Sequence, residues 1–187
     1  MPGGKLSLPE SERLVLREWR EKDWPFFAAM NANPQVMRFF PGVMTEKDSL
    51  SMWNRIRKEL DERGYGLYAV ELKHSGSLIG LLGFHWADFE ADFTPCVEIG
   101  WRLVPDAWGY GYATEGARAC LKHGFARFGF DRVYSFTACV NFPSQAVMQR
   151  VGMRKIAEFN HPKVAPDSIL YPHVLYVKDT FRKIERE

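Results

Sequence analysis

Hydrophobic and polar residues alternate from Val97 to Leu103. Val97, Ile99, Trp101 and Leu103 fall on one face of a strand, and Glu98, Gly100 and Arg102 on the other. A strand of similar character opens the chain at Leu14–Trp19, and two more follow at Gly66–Leu72 and Leu78–Trp86, joined by a Lys73–Ser77 turn in which Gly76 is the turn glycine. Between these the period is helical. Asp23-Trp24-Pro25 predicts a helix start with Asp23 as N-cap, running to about Met30 and stopping before Asn33-Pro34. Thr45-Glu46-Lys47-Asp48 has the pattern of a capping box, after which Leu50, Trp53, Ile56 and Leu60 mark an apolar stripe that Gly64 ends. A long helix from Thr114 presents Ala113, Ala117, Cys120, Leu121, Gly124, Phe125 and Phe128 on its apolar side and stops at Gly129. Arg132–Cys139 reads as a fifth strand, and Asn141-Phe142-Pro143-Ser144 opens a short helix closed by Gly152. Strands near Met153–Phe159 and Val174–Lys178 complete the pattern. The order predicts a mixed α/β chain in which one helix crosses over between the fourth and fifth strands.

Composition narrows the function classes. A chain of 187 residues rich in Trp and Phe suits a single domain spanning 1–187 with a large core and a flexible lead-in within residues 1–8, Met1–Lys5 above all. The net charge is only +2 and no basic run appears, so no nucleic-acid partner is expected. The three cysteines, Cys96, Cys120 and Cys139, lack metal-ligand spacing, and no metal is expected. The longest nearly apolar run, Leu78–Ala87, is too short to cross a bilayer. The corresponding expectation is a cytoplasmic protein with no membrane partner.

The chemistry concentrates after the fourth strand. Pro105-Asp106 breaks the strand, and Gly109-Tyr110-Gly111 follows before the helix. A strand, a glycine turn and a helix start make an anion cradle, because glycine admits close backbone approach and the first helical N–H groups have no intrahelical partner. A dinucleotide fingerprint would need glycine where Thr114 stands, and a triphosphate loop would need Gly-Lys-Ser/Thr. A ligand-free tight turn also satisfies a bare Gly-x-Gly.

Three blocks in order carry a resemblance to the GNAT superfamily of acyl-CoA-dependent N-acetyltransferases, and to its RimJ/RimL-like branch. They are Val97-Glu98-Ile99-Gly100-Trp101-Arg102-Leu103, then Trp108-Gly109-Tyr110-Gly111-Tyr112-Ala113-Thr114-Glu115, then Asn141-Phe142-Pro143-Ser144 with Val147–Met153. The likeness extends more loosely from Leu14 through Val177. One departure is Asp106, where the superfamily often has Gln or Arg. The resemblance implies a splayed central sheet with an acyl-CoA cleft between strands four and five. Backbone near Arg102, Leu103 and Val104 would pair with the pantetheine arm of acetyl-CoA. The N–H groups of Trp108, Gly109, Tyr110, Gly111, Tyr112, Ala113 and Thr114 would hold the pyrophosphate. Asn141 would hydrogen-bond the pantetheine or adjoining backbone, a role compatible with capping the next helix.

Acetyl transfer to an amine needs a base, a polarised carbonyl and a leaving thiolate. Glu98 is the candidate base, with room beside it over Gly100; its place on the strand equally allows an ion pair with Arg102. Glu115 is a poorer base, in a helix first turn where the dipole favours any acid. His85 and His173 are further titratable candidates. The resemblance implies that a fourth-strand N–H stabilises the oxyanion. Many members place a Tyr where this chain has Met148, so a phenolic acid is excluded there. Ser144 is the candidate donor to the thiol sulfur, or an early-helix Ser satisfying backbone. Trp53, Phe39, Phe40, Trp86 and Phe89 are candidates to wall the acceptor site, and the acidic loop residues Asp88, Glu90 and Asp92 to attract a cationic amine. The implied acceptor is a primary amine, such as a protein N-terminal α-amine. A small-molecule amine, amino acid or antibiotic, or a non-catalytic acyl-CoA sensor, is the alternative, and a homodimer is a further expectation of the resemblance.

Overall fold

The computed structural model describes residues 7–180; Met1–Lys5 and the charged tail beyond residue 180 lie outside the described residues. Seven strands form one sheet in the order β1 (Leu14–Arg17), β2 (Leu67–Leu72), β3 (Leu78–Ala87), β4 (Cys96–Leu103), β5 (Arg132–Ala138), β7 (Pro172–Asp179) and β6 (Arg154–Asn160). Every neighbouring pair is antiparallel except β4–β5. A parallel pair requires a crossover, which α3 (Tyr112–His123) supplies as the pattern predicts.

The cross-strand register decides what each face of β4 meets. Leu82 pairs with Trp101 and Phe84 with Ile99. A Cβ on Gly116 of α3 would come within 2.7 Å of Leu82, so the Ile99/Trp101/Leu103 face lies under α3. The opposite face, with Glu98, Gly100 and Arg102, meets α1 (Trp24–Asn31) and α2 (Glu46–Arg63): Arg102 bonds Asn31, and His85, the cross-strand partner of Glu98, bonds Glu59. The central strands are thus covered on both sides, and Tyr68, Ala69 and Val70 of β2 are fully buried.

The capping box at Thr45 forms as expected, with the Thr45 hydroxyl accepting from the Asp48 N–H and Gly64 taking the left-handed C-cap at φ 73°. Three local expectations change. Leu50 lies outside the α2 stripe and is 47% exposed, because Ser49, Met52, Trp53, Ile56 and Leu60 turn inward instead. Asp23 occupies the N-cap position of α1 without capping it: its carboxylate accepts from Arg17 at 2.6 Å and from the Arg20 N–H. Arg17 also binds Glu71 at 2.7 Å, making a buried ionic triad between β1, β2 and the entry to α1. Finally, α3 begins at Tyr112, two residues before the predicted Thr114, and after His123 loosens into a π turn at Gly124–Phe128. Its apolar face is otherwise as read: Ala117, Cys120 and Leu121 are buried.

Candidate active site

Against β3, β4 is paired along eight residues, Cys96–Leu103; against β5 it is paired only at Glu98↔Tyr134. Beyond that point the two strands part. The Ser135 hydroxyl, 2% exposed, donates to the Ile99 carbonyl at 2.8 Å and pins the apex of the wedge. A cavity of about 1050 Å³ opens from it, reaching from α1–α2 residues through the glycine turn to the start of α4 (Phe142–Arg150).

Backbone direction along β4 is fixed by its alternation. The Val104 N–H donates to Ile79 on β3, and the Arg102 carbonyl lies where a Cβ on Gly80 would fall, at 2.2 Å. Arg102 therefore turns its backbone groups to β3, and Val104 gives its N–H to β3 while its carbonyl accepts from the Ala107 N–H. The backbone of Ile99, Trp101 and Leu103 faces the wedge. The Ile99 carbonyl is taken by Ser135 and the Leu103 carbonyl by the Trp108 indole at 2.8 Å. What β4 still offers the opening is the Trp101 N–H and C=O and the Leu103 N–H. Trp101 was not among the residues expected to pair with the coenzyme, although period-two alternation is the signal that identifies it.

The glycine turn has the expected shape. Gly109 and Gly111 adopt φ 83° and 80°, which side chains disfavour, and Gly111 is the N-cap of α3. No side chain caps that helix. The first intrahelical bond runs from Glu115 N–H to Gly111 C=O, so the N–H groups of Tyr112, Ala113 and Thr114 have no partner within the helix. Trp108, Gly109, Gly111, Tyr112, Ala113 and Thr114 line the cavity; Tyr110 and Val104 do not. Asp106 is exposed in a 3-10 turn outside the lining. Glu115 points to the N-terminal segment, where it accepts from the Ser11 hydroxyl (2.5 Å) and the Arg13 guanidinium (2.6 Å), so it is a brace between α3 and that segment.

Asn141 caps α4, its Oδ1 accepting from the Ser144 N–H at 3.3 Å, while its Nδ2 donates to Thr137 Oγ1 at 2.8 Å. The side chain holds the β5–α4 corner. Ser144 lines the cavity, and its hydroxyl makes no hydrogen bond among the described residues. Met148 is buried at 1% exposure.

Glu98 lies in the cavity wall with its carboxylate leaning along the strand; Oε1 sits 3.9 Å from where a Gly100 Cβ would be. Burial pushes its carboxyl up to about 7; the neighbouring Glu59 carboxylate adds to the rise, and His85 and Arg55 oppose it. Glu98 forms no ion pair with Arg102. That guanidinium instead donates through Nη1 to Asn31 Oδ1 at 2.5 Å and stands 4.3 Å from the Phe40 ring centroid. Two side chains on one strand face can pair only if nothing better is in reach, and here α1 supplies Asn31. His85 Nδ1 lies 2.8 Å from Glu59 Oε2; a carboxylate only accepts, so that nitrogen carries the proton.

Of the aromatic residues proposed as acceptor walls, Phe39 and Phe40 line the cavity; Trp53, Trp86 and Phe89 do not. Trp53 is core, packed with Trp19, Trp24 and Phe27, and Arg63 stands over Trp86. Asp88, Glu90 and Asp92 are also absent from the lining. His173 lines it together with His161, their ring centroids 4.8 Å apart. Sequence reasoning did not single out Arg38, Arg55, His161 or Lys163, which the fold brings to the same cavity. Nothing in the local pattern around these residues distinguishes a polar side chain in a cavity wall from one in solvent.

Among the described residues there is no helix long and apolar enough to cross a membrane. The family model described as "Acetyltransferase (GNAT) domain" matches residues 13–154. The chain is 32% identical over 146 residues to the uncharacterized N-acetyltransferase YnaD of Bacillus subtilis (strain 168), covering 78% of this chain and 81% of that one. The fold superposes on the crystal structure of an acetyltransferase (GNAT family) from Bacillus anthracis with a TM-score of 0.76 at 28% identity, over 92% of this chain and 98% of that one. RimL, a ribosomal L7/L12 alpha-N-protein acetyltransferase solved in complex with coenzyme A, shares the fold at a TM-score of 0.73 and 18% identity, over 92% and 97% of the two chains. With its parted β4 and β5, its uncapped helix behind a glycine turn and a family match across most of its length, the chain belongs to the GNAT family of acetyltransferases.

Proposed function

We propose that this protein transfers the acetyl group of acetyl-CoA, the donor its family uses, directly to a primary amine, with Glu98 as the base. The carrying observation is the wedge: β4 leaves β5 after one paired residue, and an uncapped helix N-terminus stands beside the opening. The residues fit the coenzyme's chemistry. Trp101 and Leu103 offer unpaired backbone groups to the amides of a pantetheine arm, in the manner of an added strand. Tyr112, Ala113 and Thr114 offer N–H donors at the positive end of a helix to a pyrophosphate. Ser144 offers a free hydroxyl on the far wall, suited to donate to a departing thiolate.

Glu98 is suited to its part because burial raises its carboxyl to about 7, so that it is about half ionised at pH 7, largely ionised at pH 8, and still basic enough to take a proton from an ammonium, directly or through water. Gly100 beside it keeps the approach open. The Trp101 N–H is the donor placed to stabilise charge on the carbonyl oxygen under attack. Asn141 acts by holding the β5–α4 corner, and through it Ser144.

The likeness to RimL supports a protein N-terminal α-amine as acceptor, in the RimJ/RimL-like manner. The test is thiol release from acetyl-CoA in the presence of short peptides with free N-termini, amino acids and polyamines, with acetylated product identified by mass. Amine-dependent release with a peptide product supports the reading. Tight coenzyme binding with no transfer to any amine would make the protein a sensor and overturn it.

A further inference from the structure

Arg102 has an unusual position. It lies on the Glu98 face of β4, in the cavity wall, enclosed by Phe40, Met44, Met52 and Asn31. Among the described residues it makes no ion pair. Nη1 is used by Asn31, but Nε is buried with no hydrogen-bond partner, and no bond is made by Nη2. Nη2, which is not enclosed, keeps charge-assisted donors for a carboxylate. Asn31 compounds the imbalance: its Oδ1 is spent on Arg102, and its Nδ2 is likewise buried without a partner. Arg102 as a whole is half-buried, but its enclosed Nε and the enclosed Asn31 Nδ2 are donors without acceptors, which is costly. Burial and the nearby Arg55 bring the Arg102 guanidinium down to about 10, which leaves it charged at neutral pH.

The rest of the lining agrees in sign. Arg38, Arg55, Arg102 and Lys163 face the cavity, whereas its acidic members are Glu98 and the Arg13-paired Glu115. The acidic loop that would attract a polyamine lies elsewhere. Arg102 also stands apart from the coenzyme's phosphate cradle, which is on the α3 side of the sheet; the Arg102 face meets α1 and α2. Arg102 lies four steps along the strand from Glu98, about 13 Å between Cα atoms. The Glu98 carboxylate leans toward Gly100, which stands between the two, and both side chains line the same cavity.

From this arrangement we infer that the acceptor amine carries a carboxylate, which Arg102 binds through its open Nη2 while Glu98 serves the amine. The inference rests on the acetyl-transfer reading and adds the acceptor's class. The carboxylate has two sources with the same chemistry: a free amino acid, or a peptide whose residue next to the N-terminus is Asp or Glu.

The experiment compares kcat/KM for matched acceptors: amino acids against their carboxamides, and Ala-Asp and Ala-Glu peptides against Ala-Asn and Ala-Gln peptides, with spermidine alongside. Coenzyme binding is measured in parallel by calorimetry. Wild-type protein is expected to favour the acid by about tenfold or more in whichever pair it uses, which names the source. R102Q is expected to bring that ratio near one, and R102K to restore part of it. The wild-type ratio needs no variant and stands even if R102Q does not fold. Equal use of acid and amide, or preference for spermidine, overturns the inference while leaving acetyl transfer intact. Coenzyme binding without transfer to any acceptor overturns the acetyl-transfer reading and this inference with it.

Discussion

Replacing Glu98 by Gln keeps the shape of the side chain and removes its charge, so it separates the chemistry of this position from its packing. The carboxyl titrates at 4.5 when unperturbed and at about 7 in the folded protein. Between those values the folded state binds more protons than the unfolded one. The carboxyl therefore opposes folding least below pH 4.5, and its penalty grows as pH rises through 7. The separation corresponds to at most about 3 kcal/mol at pH 8. Glu98→Gln is thus expected to match wild type in thermal stability near pH 4 and to exceed it at pH 8 by up to about 6–12 °C. Activity should move the other way. Wild-type kcat/KM should fall about tenfold per pH unit below 7, as the base is protonated, and loss of the base should cost about 100-fold or more at pH 8. Two acceptors differing in amine pKa distinguish the enzyme's limb, which stays near 7, from the acceptor's, which moves. A Glu98→Gln protein that keeps wild-type kcat/KM within about threefold, with the same limb, would refute the base assignment. One that shows no pH-dependent stabilisation would refute the burial argument behind it.

Ser135→Ala removes the bond that pins the wedge apex and leaves the Ile99 carbonyl unsatisfied; a loss of about 1–3 kcal/mol in urea unfolding is expected, with weaker coenzyme binding by calorimetry. Gly111→Val forces a β-branched residue to φ 80°, where nothing but Arg13 Nη2 at 3.8 Å crowds a Cβ, so the cost is conformational. It should lower the melting temperature and raise the KM for acetyl-CoA while leaving far-ultraviolet dichroism unchanged. Arg17→Met strands Asp23 and Glu71 in the β1–β2 corner, for a loss of about 3–5 kcal/mol at pH 7. Burial alone would push Asp23 up, but Arg17 and the Arg20 N–H hold it below its usual range, and Arg17 does the same for Glu71. The triad's stabilisation is present at neutral pH and lost as pH falls through the carboxylate range, so wild type and variant should converge in acid denaturation.

Most of the elements, and the glycine turn with its helix start, are legible in the chain's local pattern. Capping box, strand alternation and turn glycines are local: each is decided within a few residues by backbone sterics and hydrogen-bond satisfaction. That is why Thr45, Gly64, Gly109 and Gly111 stand where their pattern put them. What surrounds Glu98 and Arg102 is set by packing between distant parts of the chain. Whether Arg102 meets Glu98 or Asn31, whether Trp53 lines a site or fills the core, and which β4 carbonyls remain free all depend on contacts between residues tens of positions apart. Alternation says which residues share a face, but only the packing of α1 and α2 on that face says what the face can bind. A polar residue such as Arg38 or Arg55 has the same appearance in the chain whether it ends in solvent or in a cavity wall.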